Sequence, residues 1–239
     1  MILIPYLIIL AFVFSSHLMA LPIELNFLRA TGSTSQLVAQ KLMTEIYRRA
    51  DVKVNVTSAS AKRAFSESSS GHSDGQLLRI AGADILDPSL IRIPTPIYHI
   101  ETQIFARKEY ALRINKVEDL REYKIAAVRG ILHSKRLIDT AGATKVHLLE
   151  NVTQLIKFVE LGRADIAITG KLNGRHLIRA QNLNNIVEVG KPLFTYPLYH
   201  YLHQDYQWLA PKINTIVKEM KDSGELQLFI SLYEKQSLN

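Results

Sequence analysis

The chain has 239 residues, 47% of them hydrophobic and 21% charged, an ordinary globular composition at a length that suits one large domain or two small lobes. It contains no cysteine, which excludes disulfides and thiolate-bound metals. The formal charge of +7 comes from scattered Lys and Arg with no dense basic run, so nucleic acid is not an expected partner, while a basic surface still favours anionic solutes or the membrane face.

The opening block MILIPYLIILAFVF carries no charged side chain and is shorter than the ~20 residues a membrane-spanning helix needs. SSHLMA follows and ends on the small Ala20, so residues 1–20 read as a signal peptide cut before Leu21. The segment begins without Lys or Arg, which leaves an uncleaved N-terminal anchor as the alternative. In either case the body of the protein is expected to be periplasmic.

IELNFLR (23–29) alternates as a strand does, and GSTS (32–35) supplies hydroxyl caps for the helix QLVAQKLMTEIYRRA. VKVNV (52–56) is a second period-two strand, SAKRAFSES a short helix, and a third strand follows Gly71. This β-α-β-α-β order implies α/β layering with parallel strands. The scheme recurs later. YKIAAVRG (123–130) reads as a strand meeting a Gly turn, SKRLIDTAG as a helix, KVHLLE (145–150) as a strand, and VTQLIKFVELG (152–162) as a helix before the strand ADIAIT (164–169).

The two units share one entrance. GHSDGQLLRI (71–80) and GRADIAITGK (162–171) both begin Gly-x-x-Asp and run into an apolar stretch. Each Gly is expected to stop a helix in a left-handed cap, and each Asp to open the next strand as a turn residue bonded to backbone. Two similar units imply two lobes: 21–103 with 201–239, and 104–200. TQIFARKEY (102–110) and PLYHYLHQDY (197–206) flank the second unit and read as the crossovers. Two helices broken at Gly224 close the chain and are expected to pack on the first lobe.

VEDLREYKIAAVRG, LIKFVELGRADIAI and LAPKINTIVKEMKDSGEL, in this order and spacing, resemble family 3 of the bacterial periplasmic solute-binding proteins, the polar-amino-acid type that serves ABC transporters. The resemblance covers nearly the whole chain after residue 20. It implies a type II two-lobed fold with a ligand cleft between lobes. The family's amino-acid anchors do not carry over. Its carboxylate-binding arginine falls on Pro88, its second-lobe hydroxyls on Ile131 and Leu132, and its acidic ammonium anchor on Gly170. Arg63-Ala64-Phe65, Gly71, Asp74-Gly75, Arg79, VRG (128–130) and LYHYLH (198–203) resemble a divergent branch of that family instead.

The candidate ligand residues are all polar. Arg79 ends a strand, where ligands of open α/β sheets collect, and its planar fork suits carboxylate or phosphate; the alternative is a structural pair with Asp74 or Asp84. Arg129 ends the first strand of the second unit and would face the cleft from the other wall, or else form a surface ion pair. Arg63 on the short helix, Ser33 at a helix N-terminus, Tyr98 beside a crossover, and Thr169 at the end of a second-lobe strand complete the set. Exposure for Arg63 and simple helix capping for Ser33 remain open. His200 and His203 would point to opposite faces of a strand and make a poor metal pair. No catalytic signature or cofactor motif occurs.

These features describe a monomeric binding protein without cofactor or catalysis, capturing a small polar, anionic solute for a membrane permease or a sensor. The alternatives are a dehydratase-like periplasmic enzyme of the same fold, or a module that only binds protein.

Overall fold

The computed structural model describes residues 23–238; the expected signal peptide therefore lies outside the described residues. In the first half, β1 (Glu24–Ala30), α1 (Thr34–Arg49), β2 (Lys53–Ala59), α2 (Ala61–Ser69) and β3 (Gly75–Ile80) form the expected βαβαβ unit, with β1 parallel to both β2 and β3. The short α3 (Ala83–Leu86) and β4 (Leu90–Arg92) lead into the long strand β5 (Tyr98–Arg107). The second half runs β6 (Ile125–Val128), α4 (Leu132–Ala141), β7 (Val146–Leu149), α5 (Leu155–Glu160), β8 (Ile166–Gly170) and α6 (Lys171–Ala180). β9 (Ile186–His203) then returns to the first half, where α7 (Ala210–Asp222) and α8 (Glu225–Leu238) close the chain.

One continuous sheet threads both halves in the order β2-β1-β3-β9-β5-β8-β6-β7, with β4 paired to β9 at the side. The outer strands are parallel βαβ sets, and the two central strands, β5 and β9, run antiparallel to each other and to their neighbours. Those two strands are the crossovers of a two-lobed, periplasmic-binding-protein-like fold. Their ladder is interrupted where the halves meet. The register jumps from Ile104 opposite Val189 to Thr102 opposite Phe194, so residues 190–193 bulge out of the pairing. The Gln103 side chain, fully buried, donates to the Val189 carbonyl at 3.0 Å and covers part of the gap.

Each half has its own core. In the first, Leu25 and Phe27 of β1 face Val38, Leu42 and Ile46 of α1, and α7 and α8 add Ile213, Val217, Met220 and Ile230. α1 forms because those apolar residues recur at helical spacing behind the Ser33 cap. The second half is buried on both faces of its strands, as parallel sheets require. Ile104, Ile125, Ile166 and Ile168 pack one face with Leu137, while Phe105, Ala126 and Ala167 pack the other with Leu155, Ile156 and Val159.

Three stretches depart from the sequence expectation. β5 starts at Tyr98 and ends at Arg107, with a 3-10 turn at Lys108–Tyr110 in place of further strand. β9 begins at Ile186, well before the expected crossover, because the interruption at Gly190 and Pro192 disguises one strand as a loop. α6 occupies KLNGRHLIRA, a stretch with no sequence expectation and an internal glycine. Gly174 is there for close approach: a Cβ at that position would lie 2.0 Å from the Phe105 ring.

The repeated Gly-x-x-Asp entrance has a single physical purpose. Gly71 (φ 76°) and Gly162 (φ 71°) take the left-handed backbone after α2 and α5. Asp74 then accepts a 2.5 Å hydrogen bond from the Asn26 N–H of β1, and Asp165 a 2.7 Å one from the Lys124 N–H ahead of β6. Each carboxylate ties its strand to the start of the neighbouring parallel strand. The loop aspartate is a strand clamp in both halves.

Candidate functional site

The halves meet across a cavity of about 70 Å3. Its first-half wall comes from the N-terminus of α1 (Ser33, Ser35, Gln36) and from Gln76, Leu78 and Arg79 of β3; the opposite wall carries Gly130, Ile131, Leu132, His133 and Asn173. Several polar contacts span the junction, three of them beside this cavity or close to it. Arg79 Nη1 donates to the Gly130 carbonyl at 3.1 Å, Arg136 Nη2 to the Ala81 carbonyl at 2.6 Å, and the Ser35 N–H to Asn173 Oδ1 at 3.0 Å. Gly130 makes the approach possible, since a Cβ there would sit 2.9 Å from the backbone nitrogen of Lys62.

Arg79 is the distinctive group. β3 runs from the Asp74 clamp toward the junction and delivers the guanidinium to its edge. Nε donates to Gln76 Oε1 at 3.1 Å and Nη2 to the Ala61 carbonyl at 3.3 Å, while the cation lies 4.7 Å from the centre of the Phe65 ring. All its partners are neutral. The expected alternatives, Asp74 and Asp84, are otherwise engaged: Asp74 clamps β1, and Asp84 sits 3.8 Å from Arg92. Among the described residues Arg79 makes no ion pair, and its partial desolvation lowers its pKa. The residue is half-buried and its contact with Gly130 is open to solvent, so water supplies part of the compensation that a carboxylate would otherwise give.

The remaining sequence candidates are spread over several surroundings. Ser33 caps α1, accepting from the Gln36 N–H at 3.4 Å, and also lines the cavity within 3.4 Å of Asn173 Nδ2. Arg129 turns away from the 70 Å3 cavity to pair with Glu150 at 2.5 Å, its side chain 45% exposed. Arg63 projects from α2 and pairs with Glu67 at 3.2 Å. Tyr98 donates to Glu234 at 2.5 Å, and burial together with that carboxylate pushes the phenol up. It borders a separate polar recess of about 110 Å3 that contains Lys171 and Glu101, 3.0 Å apart. Thr169 is buried in the sheet opposite Gln103 and is not part of the inter-lobe wall. The structure thus brings Arg79 and Ser33 to one cavity, places Arg129 with Arg79 along a larger neighbouring compartment, and sets Arg63, Tyr98 and Thr169 elsewhere.

Sequence reading missed Gln76, Asn173 and His133. Gln76 holds Arg79 by its oxygen and donates by its nitrogen to the Ala64 carbonyl at 2.7 Å, which fixes the guanidinium. A polar residue three before an arginine at a strand end was the available signal. His133 is buried beside Thr102 Oγ1, 3.0 Å from its Nδ1, and burial pulls its pKa down to about 4, so it is neutral at pH 7. His200 is equally buried and serves the core. Its Nδ1 donates to the Gln76 carbonyl at 2.8 Å, so Nε2 accepts from the Tyr47 hydroxyl at 2.6 Å. Among the described residues no group of three His, Asp or Glu side chains could hold a metal ion, and no helix is long and apolar enough to cross a membrane.

The fold and the junction define a two-lobed domain of the periplasmic-binding-protein type. No protein-family model matches the chain, and no curated protein matches it. Solved structures do match in fold. A histidine kinase sensor domain with similarity to periplasmic binding proteins superposes with a TM-score of 0.72 at 18% identity, over 82% of this chain and 85% of that one. The substrate-binding protein of an amino-acid ABC transporter from Streptococcus pneumoniae, bound to L-arginine, gives 0.71 at 17% identity, over 84% and 85%. The GluR0 ligand-binding core in complex with L-glutamate gives 0.75 at 10% identity, over 90% and 99%. At these identities the likeness establishes the fold.

Proposed function

We propose that this protein is an extracytoplasmic solute-binding protein that takes a small anion between its lobes, with Arg79 as the principal anchor. The observation that carries this reading is the guanidinium itself: half-buried, at the lobe junction, held in place by Gln76, and without a carboxylate partner among the described residues. A bound anion would supply the missing counter-charge by a bidentate contact. Ser33 and the α1 N-terminus add hydrogen-bond donors on the same wall.

The 70 Å3 cavity is about half the size of the roughly 150 Å3 cavity that takes benzene, so on this reading the lobes part to admit a larger solute. Hinge motion through the interrupted ladder of β5 and β9 provides this. The lobes of this reading are 21–103 with 201–239, and 104–200. The second boundary is best drawn back to about residue 197, since Leu198 and Leu202 pack in the first core. The protein acts as a monomer in the periplasm, without catalysis, and presents its solute to a membrane permease or a sensor. The arginine- and glutamate-bound neighbours are consistent with a small solute held by such a fold.

A thermal-shift screen of small carboxylates, phosphates, neutral solutes and amines tests the reading. A ligand at 100 times its Kd stabilises by about 2.7 kcal/mol. Anions should give the shifts. A screen in which only cationic solutes stabilise the protein would overturn the assignment.

A further inference from the structure

Beside the junction lies a second compartment of a different character, about 550 Å3 in volume and within the range of about 300–1,000 Å3 typical of small-molecule sites. Its floor is β6, α4 and β7 of the second half, and its opposite wall is Phe65 of α2 and Leu86 of α3. Most of the lining is hydrocarbon. Leu86 and Leu148 stand on its two sides, 64% and 46% exposed, although large aliphatic side chains ordinarily bury themselves. Ile131 and Leu132, where the resembled family carries ligand-binding hydroxyls, face both this compartment and the small cavity.

The charges around it are one-sided. Lys62, Arg79, Arg129 and Lys135 line it against the single carboxylate of Asp139. Lys135 is taken by Asp139 at 2.5 Å and Arg129 by Glu150 at 2.5 Å. Lys62 and Arg79 remain without an ion pair among the described residues, and Arg79 forms part of both the small cavity and the large compartment. An unpaired cation beside a half-open apolar compartment is complementary to a molecule with an anionic head and an apolar body.

We infer that the solute is an amphipathic anion, a carboxylate bearing a hydrocarbon chain or ring, with its head on Arg79 and Lys62 and its apolar part in the 550 Å3 compartment between Phe65, Leu86 and Leu148. This rests on the anion-binding reading above and names the chemical class of its ligand. A free amino acid fits poorly, because its ammonium group would meet Arg79 and Lys62 and no free carboxylate in this lining. The apolar walls reward chain length, since each buried methylene adds favourable transfer free energy.

The test is calorimetric titration of the full chain with propanoate, decanoate and decanol, repeated on Arg79→Gln and Leu148→Glu. Decanoate should bind at least tenfold more tightly than propanoate and at least tenfold more tightly than decanol. Leu148→Glu should lose at least tenfold in decanoate affinity while melting like the wild type, because Leu148 is half exposed on an edge strand. Propanoate binding as tightly as decanoate, with both weakened by Arg79→Gln, would overturn the apolar compartment and leave the anion site standing. Decanoate binding unaffected by Arg79→Gln would overturn both. Sedimentation showing a dimer that Leu148→Glu dissolves would assign the apolar walls to a second copy of the chain and overturn the inference.

Discussion

Arg79 of the first lobe donates a 3.1 Å hydrogen bond to the carbonyl of Gly130 in the second, so the group best placed to hold an anion also holds the lobes together. The same guanidinium reaches Ala61 and Gln76 within its own lobe, and none of its acceptors is charged. Closure without solute therefore rests on neutral carbonyls that a carboxylate or phosphate would outcompete, since hydrogen bonds between ionised partners are roughly twice as strong.

Arg136 joins the halves at a second point through its 2.6 Å bond to the Ala81 carbonyl. Arg136→Ala should shift the solute-free protein toward an open form, measurable as a larger radius of gyration in solution scattering with unchanged circular dichroism. Identical scattering curves for the variant and the wild type would show that this contact is no latch.

Stability should fall as the pH drops from 7 to 5.5. His133 and His200 are buried neutral, with pKa values near 4 against about 6.5 in the unfolded chain. Between those values the unfolded state binds more protons, so stability rises with pH, is fully present above about pH 6.5, and is lost as pH falls through 4. Each histidine removes about 1 kcal/mol by pH 5.5. Denaturant melts at the two pH values measure the loss, and His133→Gln should lessen it. Equal stability at both pH values would contradict the neutral burial of these rings.

Much of this was legible in the sequence, and the failures share a cause. Period-two strands, the helical spacing in α1 and the Gly-x-x-Asp entrance are local signals, and the elements they mark stand where expected. The antiparallel centre was obscured. β9 carries Gly190 and Pro192 inside the strand, and the reason is tertiary: the ladder opens between the lobes, where the Gln103 amide takes over a carbonyl. For the site, the sequence indicated Arg79 and Ser33 through their positions at a strand end and a helix start. It could not indicate that Glu150 captures Arg129 or that Glu234 captures Tyr98, because both partners are remote in sequence and have no motif.

Gly174→Ala should destabilise the protein by about 1–3 kcal/mol, the usual cost of overpacking, because its methyl would enter the Phe105 ring. Adding Phe105→Leu to that variant should restore part of the loss. A Gly174→Ala protein as stable as the wild type would mean that α6 shifts freely on the sheet.

Asp74→Ala and Asp165→Ala should each cost about 1–2 kcal/mol by releasing the strand clamp, with solute affinity unaffected in both. Chemical denaturation and titration of the same preparations separate the two effects. An affinity loss confined to Asp74→Ala would place that carboxylate in the site and not in the scaffold.

The most direct measurement is Arg79→Gln, followed both for affinity toward the strongest anion from the solute screen and for melting without solute. If Arg79 is kept for an anion, affinity falls at least tenfold, about 1.4 kcal/mol. The solute-free protein then melts within about 2–4 °C of the wild type, or above it, because the variant no longer holds a partly desolvated, unpaired charge. A variant that melts early and binds its anion normally would make Arg79 a brace between the lobes and contradict the account.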